Sequence, residues 1–152
     1  MARAHSPVED VIRTRVEEHP DAVWLKFRDE TYTWAEVLSN IQRAANGLLE
    51  LGVRPGERVA ILMRNRPEFI WTHLGIVFIG ALSVPVNTSQ RGATLEHILA
   101  DSDSVAMVFD DELRDAKHLG PQAGGKIKVG REVSVENPRH MVHYLCDTGA
   151  AS

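Results

Sequence analysis

The sequence predicts an α/β fold with a partial, mostly parallel sheet and crossover helices, preceded by a helix and a β-hairpin. Three apolar runs have the length of strands, at residues 59–63, 81–87 and 105–109, and helical patterns separate them. Continuous apolar runs are typical of strands that are covered on both faces. Strands that alternate with helices pair in parallel through right-handed crossovers.

Helix-capping chemistry marks the first element. Ser6 stands at an N-cap position, Pro7 at the first helical position, and Glu9 where its side chain can reach back to the cap. We predict a short helix from Ser6 to about residue 18. The next stretch predicts a β-hairpin, with residues 22–27 extended, a polar turn at 28–30 and a short return strand at Tyr32.

The second helix has the strongest signal in the sequence. Thr33 and Glu36 form a second capping box, and Gly52 provides the stop. The apolar residues between them recur with helical spacing. They are Val37, Leu38, Ile41, Ala44, Ala45, Leu48 and Leu49.

The sheet region follows a turn at Pro55–Gly56. After the strand at residues 59–63, Asn65 and Glu68 form a third cap pattern around Pro67 and predict a helix that ends at Gly80. Residues 81–87, "ALSVPVN", predict a second buried strand. A helix near residues 95–101 then leads to the third strand.

The character of the chain changes near residue 116. Gly-Pro and Gly-Gly pairs interrupt the sequence, and the only candidate strand, at residues 126–135, is weak. We therefore divide the chain into an N-terminal subdomain, residues 1–115, and a divergent or irregular tail, residues 116–152.

Composition excludes several classes of function. The 152 residues are 43% hydrophobic and 25% charged with a net charge of −4, and the interspersed charges provide no basic patch for nucleic acid or for a membrane surface. No apolar run approaches the roughly 18 residues of a membrane span or forms a signal peptide. With Cys146 as the only cysteine, we expect a cytoplasmic protein.

Five stretches resemble, in order and near the expected spacing, the opening of the adenylate-forming ligases, the superfamily of acyl-CoA synthetases and AMP-binding enzymes. The resemblance covers roughly residues 8–115. It implies the N-terminal part of such an enzyme, truncated before the phosphate loop. The stretches read "TYTWAE", "LGVRPGERVAI", "NRPEF", "GALSVPVN" and "ILADSDSVAMVF".

The resemblance implies an activity that this chain lacks the parts to perform. Members of the family use ATP and Mg²⁺ to convert a carboxylic acid to an acyl-adenylate, and then form a thioester with CoA. Their phosphate loop (Y-T-S-G-T-T-G-x-P-K-G), their ribose-binding acidic motif and their C-terminal catalytic Lys do not occur here. We therefore expect a fragment that does not catalyse alone, and we assign no catalytic residue.

An alternative function is a non-catalytic module. Such a module binds CoA, or pairs with a separately encoded remainder of the enzyme. Only part of the family's sheet is present, so we expect an exposed strand edge and an exposed apolar face. Self-association is then a second way to cover that surface.

The resemblance also implies a CoA-facing segment. In relatives similar to acetyl-CoA synthetase, the residues after the strand "SVPV" and an Arg just past "VAMVF" face the CoA nucleotide. These positions fall at Asn87, Thr88 and Ser89 and at Arg114. Arg114 is a plausible phosphate partner, although a surface charge is the simpler interpretation, and Thr88–Ser89 replace the family's Gly-Gly.

The end of the chain, "YLCDTGAAS", echoes the start of the phosphate loop. Cys146 and Asp147 stand where the family has Thr-Ser, and a carboxylate at that position would repel a phosphate. We favour an unrelated or frameshifted terminus over a degenerate remnant of the phosphate loop. His140, His143 and Cys146 have helical spacing that could ligate a metal, but no second ligand pair supports it, so we predict no metal site.

Two further groups of residues receive a structural interpretation. Trp24, Trp34 and Trp71 lie within apolar elements without interleaved basic residues, so we predict core or hairpin packing. Asp110 and Asp111 follow the third strand at the edge where α/β sheets bind ligands. We nevertheless predict that this acidic pair belongs to a solvated loop.

Overall fold

The computed structural model describes residues 6–110 and 113, together with the backbone of residues 141–145. Strands β1 and β2 form an antiparallel hairpin, and four strands form a sheet in the order β4-β3-β5-β6, in which β3, β4 and β5 are parallel. The predicted α/β fold is confirmed. The elements are α1 Pro7–Glu18, β1 Val23–Phe27, β2 Glu30–Thr33, α2 Trp34–Glu50, β3 Arg58–Leu62, α3 Pro67–Phe78, β4 Leu82–Pro85, α4 Gly92–Asp101, β5 Ser104–Asp110 and β6 Met141–Leu145.

The start of α1 agrees with the capping prediction at Ser6 and Pro7. The Ser6 hydroxyl accepts a hydrogen bond from the Val8 N–H at 3.4 Å, and Pro7 occupies the first turn. Glu9 is buried and accepts hydrogen bonds from Arg13 at 2.7 and 3.0 Å. The glutamate therefore serves to pair a cation one helical turn further along.

Helix α2 has a defined bond at each end. The Thr33 hydroxyl accepts from the Glu36 N–H at 3.3 Å, while the Glu36 carboxylate accepts from the Thr33 N–H at 2.8 Å, so the predicted capping box is present. At the other end, Gly52 adopts a φ of 87°, and the Val53 N–H donates to the Leu48 carbonyl at 3.1 Å. This Schellman arrangement explains why the helix stops at the glycine.

The predicted cap of α3 is wrong by one residue. Arg66, not Asn65, is the N-cap, and no side chain caps this helix end. Pro67 fixes the position, because proline is tolerated at the first helical residue and the residue before it is driven into extended backbone. Arg66 accordingly has φ −147° and ψ 165°.

The sheet is covered on both faces by different helices. Val59 and Ile61 of β3 belong to a core cluster with residues of α2 and α3, whereas Ala60 and Leu62 face a smaller cluster that contains Leu95 of α4. Helices α3 and α4 therefore pack on opposite faces of the sheet. A doubly wound sheet of this kind opens a crevice where its connections diverge.

Aromatic packing confirms the interpretation of the tryptophans. Trp71 is buried, and its ring meets Tyr32 edge-on with a centroid distance of 5.1 Å. The rings of Trp24 and Trp34 lie 5.4 Å apart, and both side chains pack against the larger core. These contacts join the hairpin to α2 and α3.

Strand β4 is not a buried strand, contrary to the prediction. It lies at the edge of the sheet because β5 pairs with the other side of β3, and Leu82 is 51% exposed. The Leu82 N–H donates to the Glu57 carbonyl just before β3 at 2.7 Å, and the Val86 N–H donates to the Ile61 carbonyl of β3 at 2.8 Å. Because backbone N–H positions alternate along a strand, those of residues 83 and 85 are directed toward the open edge. Proline has no N–H to offer there, which protects the edge from further strands.

Replacement of Pro85 tests this protection. We expect Pro85→Thr to increase concentration-dependent self-association, because it restores an outward N–H on an exposed edge strand. Sedimentation velocity over a concentration series measures the effect. Leu82→Thr is the matched control, since it introduces the same side chain in the same strand without adding a backbone N–H. Equal association of the two variants would contradict the expectation.

Strand β6 is an element that the sequence analysis did not predict. It pairs antiparallel with β5, with Met107 opposite Tyr144. The short stretch has little pattern of its own, and its partner strand lies some 30 residues away in sequence. The candidate strand at residues 126–135 lies outside the described residues.

No helix in the described part of the chain combines the length and apolar character needed to cross a membrane.

Candidate functional site

A cleft of about 550 Å³ opens at the carboxyl ends of β3 and β4. The chain enters α3 after β3 and α4 after β4, and these helices lie on opposite faces of the sheet. The cleft therefore lies at the carboxyl ends of parallel strands, the edge at which open α/β sheets bind ligands. Its lining residues are Met63, Arg64, Asn65, Phe69, Pro85, Val86, Asn87 and Thr88.

The cleft combines an apolar half with a polar half. Arg64 and Asn65 contribute the polar groups after β3, and Asn87 and Thr88 contribute those after β4. Arg64, Asn65 and Asn87 are exposed, so these groups are accessible from solvent. A guanidinium, two amides and a hydroxyl beside apolar walls suit an anionic ligand with an apolar portion.

Asn87 also shapes its own loop. Its side-chain oxygen accepts a hydrogen bond from the Ser89 N–H at 2.8 Å, which closes a local turn after β4. Ser89 does not line the cleft, whereas Asn87 and Thr88 do. Of the predicted CoA-facing residues, the structure brings these two together with the β3 loop, and Arg114 lies outside the described residues.

Asp110 occupies a different environment from the solvated loop that was predicted. The side chain is 2% exposed; one carboxylate oxygen accepts from the Arg64 backbone N–H at 2.9 Å, and the other lies 3.4 Å from the Arg66 guanidinium. The solvated-loop prediction is therefore wrong for Asp110. It failed because the β3 loop that covers this residue lies 46 positions earlier in sequence. Asp111 lies outside the described residues.

Sequence reasoning also missed the support behind Phe69. The Phe69 ring stacks with the His73 ring at a centroid distance of 6.2 Å, and His73 Nδ1 lies 2.9 Å from the Ser83 hydroxyl oxygen, within hydrogen-bonding distance. The spacing of Phe69 and His73 on a helix was the available signal. These contacts fix the aromatic wall of the cleft against β4.

The metal hypothesis gains no support. The backbone of His143 belongs to strand β6, so helical spacing does not apply to it, while His140 and Cys146 lie outside the described residues. Among the residues that the structure describes, no group of three or more potential metal ligands gathers. Of the phosphate-loop echo at residues 144–152, the backbone of residues 144–145 belongs to β6, and residues 146–152 lie outside the described part.

Comparison with known sequences identifies the family. The model of the AMP-binding enzyme family matches residues 12–143. The chain is 32% identical to the medium/long-chain-fatty-acid–CoA ligase FadD6 of Mycobacterium tuberculosis, with 100% of this chain and 26% of that protein aligned. It is 35% identical to a feruloyl-CoA synthase from Amycolatopsis sp, over 77% of this chain and 23% of that protein.

Solved structures lead to the same family. The o-succinylbenzoate CoA synthetase of Bacillus subtilis, in complex with an acyl-adenylate intermediate, superposes with a TM-score of 0.65 at 27% identity, covering 71% of this chain and 28% of that one. The N-terminal domain of FACL13 from Mycobacterium tuberculosis gives 0.63 at 31% identity, covering 67% and 26%. The chain spans about a quarter of the length of the curated relatives it matches. It belongs to the AMP-binding enzyme family of adenylate-forming acyl-CoA ligases and corresponds to the N-terminal portion of these enzymes.

Proposed function

We propose that this chain contributes the N-terminal part of an ATP-dependent acid–thiol ligase, in which a carboxylic acid is adenylated and then joined to CoA. Relatives named as CoA ligases support the reaction class. The observation that carries the proposal is the cleft at the carboxyl ends of β3 and β4, with donors from two loops beside an apolar wall. We also propose a cytoplasmic location, which accords with the single cysteine.

We also propose that these 152 residues do not adenylate an acid by themselves. Adenylation needs backbone donors and a cation around the phosphates, and a group that stabilises charge at the α-phosphate. Residues 120–126 have the glycine and lysine spacing of a nucleotide loop, but Ile127 replaces the Ser or Thr that such a loop uses for Mg²⁺. The described residues gather no acidic set for the metal, so we derive no step through it.

We further propose a ligand for the cleft. We place the nucleotide portion of CoA against Asn87 and Thr88, with Ser89 forming the turn and Arg114 as an additional phosphate partner. The proximity of Arg64 and Asn65 supports this assignment, since both line the same cleft. Arg guanidinium and amide groups are suitable donors to phosphate and to a nucleobase edge.

Two assays on the purified chain test the proposal. ATP–pyrophosphate exchange over fatty, short-chain and aromatic acids is expected to stay at the level of a no-protein control. Calorimetry at low salt is expected to detect CoA, with affinity reduced about tenfold by Asn87→Ala through loss of one polar contact and its turn, a change of about 1.4 kcal/mol. Asn46→Ala, at an exposed position of α2, is the matched control.

Each assay has an outcome that contradicts its part of the proposal. Exchange above the control would show that the chain adenylates alone. CoA affinity that is undetectable, or equal in the wild type and Asn87→Ala, would remove CoA from the cleft.

The non-catalytic module has one observation in its favour, the protected edge of β4. A strand edge closed by Pro85 suits a chain that folds and persists without the rest of the enzyme. The module would bind CoA or pair with a separately encoded remainder. A family-like continuation in another reading frame immediately downstream would argue against this alternative.

A further inference from the structure

The Asp110 carboxylate connects three elements at the base of the cleft. It lies at the end of β5, accepts a hydrogen bond from the Arg64 backbone, and pairs with the Arg66 guanidinium. Arg64 belongs to the cleft wall, and Arg66 is the N-cap of α3. A single buried side chain thus joins the cleft loop, the start of a helix and the adjacent strand.

The chemistry of the Asp110 carboxylate restricts how residues 64–66 can be placed. An ionised Asp only accepts hydrogen bonds, and a charge that is 2% exposed is tolerated when its oxygens are paired. One oxygen is used by the main chain and the other by a cation. Moving the Arg64–Arg66 segment away would leave both interactions unmade and the charge buried, so the segment is held in one conformation.

The cleft depends on that conformation. Arg64 and Asn65 provide the polar groups on the β3 side, and both precede the Arg66 N-cap directly. The Phe69 N–H donates to the Arg66 carbonyl at 3.0 Å, but no side-chain cap bond holds the segment at the N-terminus of α3. We infer that Asp110 is a positioning residue, which orders residues 64–66 so that the β3 side of the cleft is preformed for its ligand.

The identity of the ligand, CoA, rests on the proposed function, whereas the ordering of the loop does not. The first measurement is therefore independent of ligand. In the full chain, hydrogen exchange of the Arg64 amide reports the bond to Asp110 directly. We expect exchange about tenfold faster in Asp110→Ala and a smaller increase in Asp110→Asn, which retains an acceptor but loses the charge.

Controls separate positioning from general destabilisation. Amides of residues 59–62 in β3 should accelerate much less than that of Arg64, and Asp101→Asn, at an exposed site on α4, should change neither. Should the Asp110 variants fail to fold, Arg66→Gln and Arg66→Lys replace them. We expect Arg66→Gln to accelerate Arg64 exchange and Arg66→Lys, which preserves the cation, to restore most of the protection.

The second measurement is CoA affinity by calorimetry, with an expected loss of about tenfold in Asp110→Asn, equivalent to about 1.4 kcal/mol. A wild-type chain that does not bind CoA would refute the proposed ligand, while Arg64 exchange would still decide the positioning role. Unchanged Arg64 exchange in Asp110→Ala, or in Arg66→Gln where that variant replaces it, would overturn the inference. Equal acceleration at Arg64 and in β3, or CoA affinity unchanged by Asp110→Asn, would overturn it as well.

Discussion

Gly75→Leu is expected to destabilise the domain by about 3 kcal/mol or more, because it overpacks the contact between α2 and α3. A Cβ atom at Gly75 would lie 2.9 Å from the Ala45 backbone nitrogen and 3.0 Å from the Ala44 Cβ. The closest atom belongs to the main chain of a helix and cannot rotate away. The two helices would have to separate, and both pack on the same face of the sheet.

A graded series distinguishes sterics from helix propensity. Leucine is a good helix former, so a loss of stability in Gly75→Leu cannot come from the helix itself. In Gly75→Ala, a propensity gain of about 1 kcal/mol opposes the clash, and we expect a smaller net loss. Urea unfolding followed by circular dichroism measures both, with Ala100→Leu on the exposed surface of α4 as control. Equal stability of Gly75→Leu and this control would contradict the close packing.

Elements defined by local chemistry were predicted well. The Thr33–Glu36 capping box and the Gly52 stop lie within one turn of the helix ends that they define, so the sequence contains all the necessary information. The hairpin and α1 have comparable local signals. Prediction of α3 failed only at its cap, where the proline determined the boundary and the asparagine did not.

Features that depend on sheet order were not predictable in this way. The apolar run at residues 81–87 is compatible with a buried strand, and the position of β5 beyond β3 leaves β4 at the edge. The burial of Asp110 could not be predicted for the same reason, because it depends on a loop contributed by the neighbouring strand. Pro85 was the local signal that favoured an edge strand.

The two sides of the candidate site differ in the same way, because residues of one side were predicted from the sequence and those of the other were not. Asn87, Thr88 and Ser89 were predicted to face CoA through resemblance to a family, and two of them line the cleft. The opposite side, Arg64 and Asn65, requires knowledge that the carboxyl ends of β3 and β4 are adjacent. Periodicity shows that a strand exists but not which strand lies beside it. The β3 side of the cleft could therefore not be predicted from the sequence.

Phe109→Ala is expected to cost about 3–5 kcal/mol, since it removes a large side chain from a core that cannot easily collapse. Phe109 is fully buried beneath α4 in the smaller of the two clusters. That cluster has few other members to fill the cavity. They are Ala60, Leu62, Val86, Leu95, Leu99, Met107 and Leu113, with Ile98 packed against them.

We expect Phe109→Ala to affect the cleft as well. Val86 belongs to this cluster and also lines the cleft directly before Asn87, so a cavity beneath it removes support from the β4 loop. We expect Phe109→Ala to accelerate exchange of the Asn87 amide more than that of amides in α2, which packs on the opposite face. Phe27→Ala, in the partly exposed hairpin, is the control and should cost far less in urea unfolding. A loss in Phe109→Ala as small as that in Phe27→Ala would show that the α4 face contributes little to stability, and the cleft would then have to be supported from the α3 face alone.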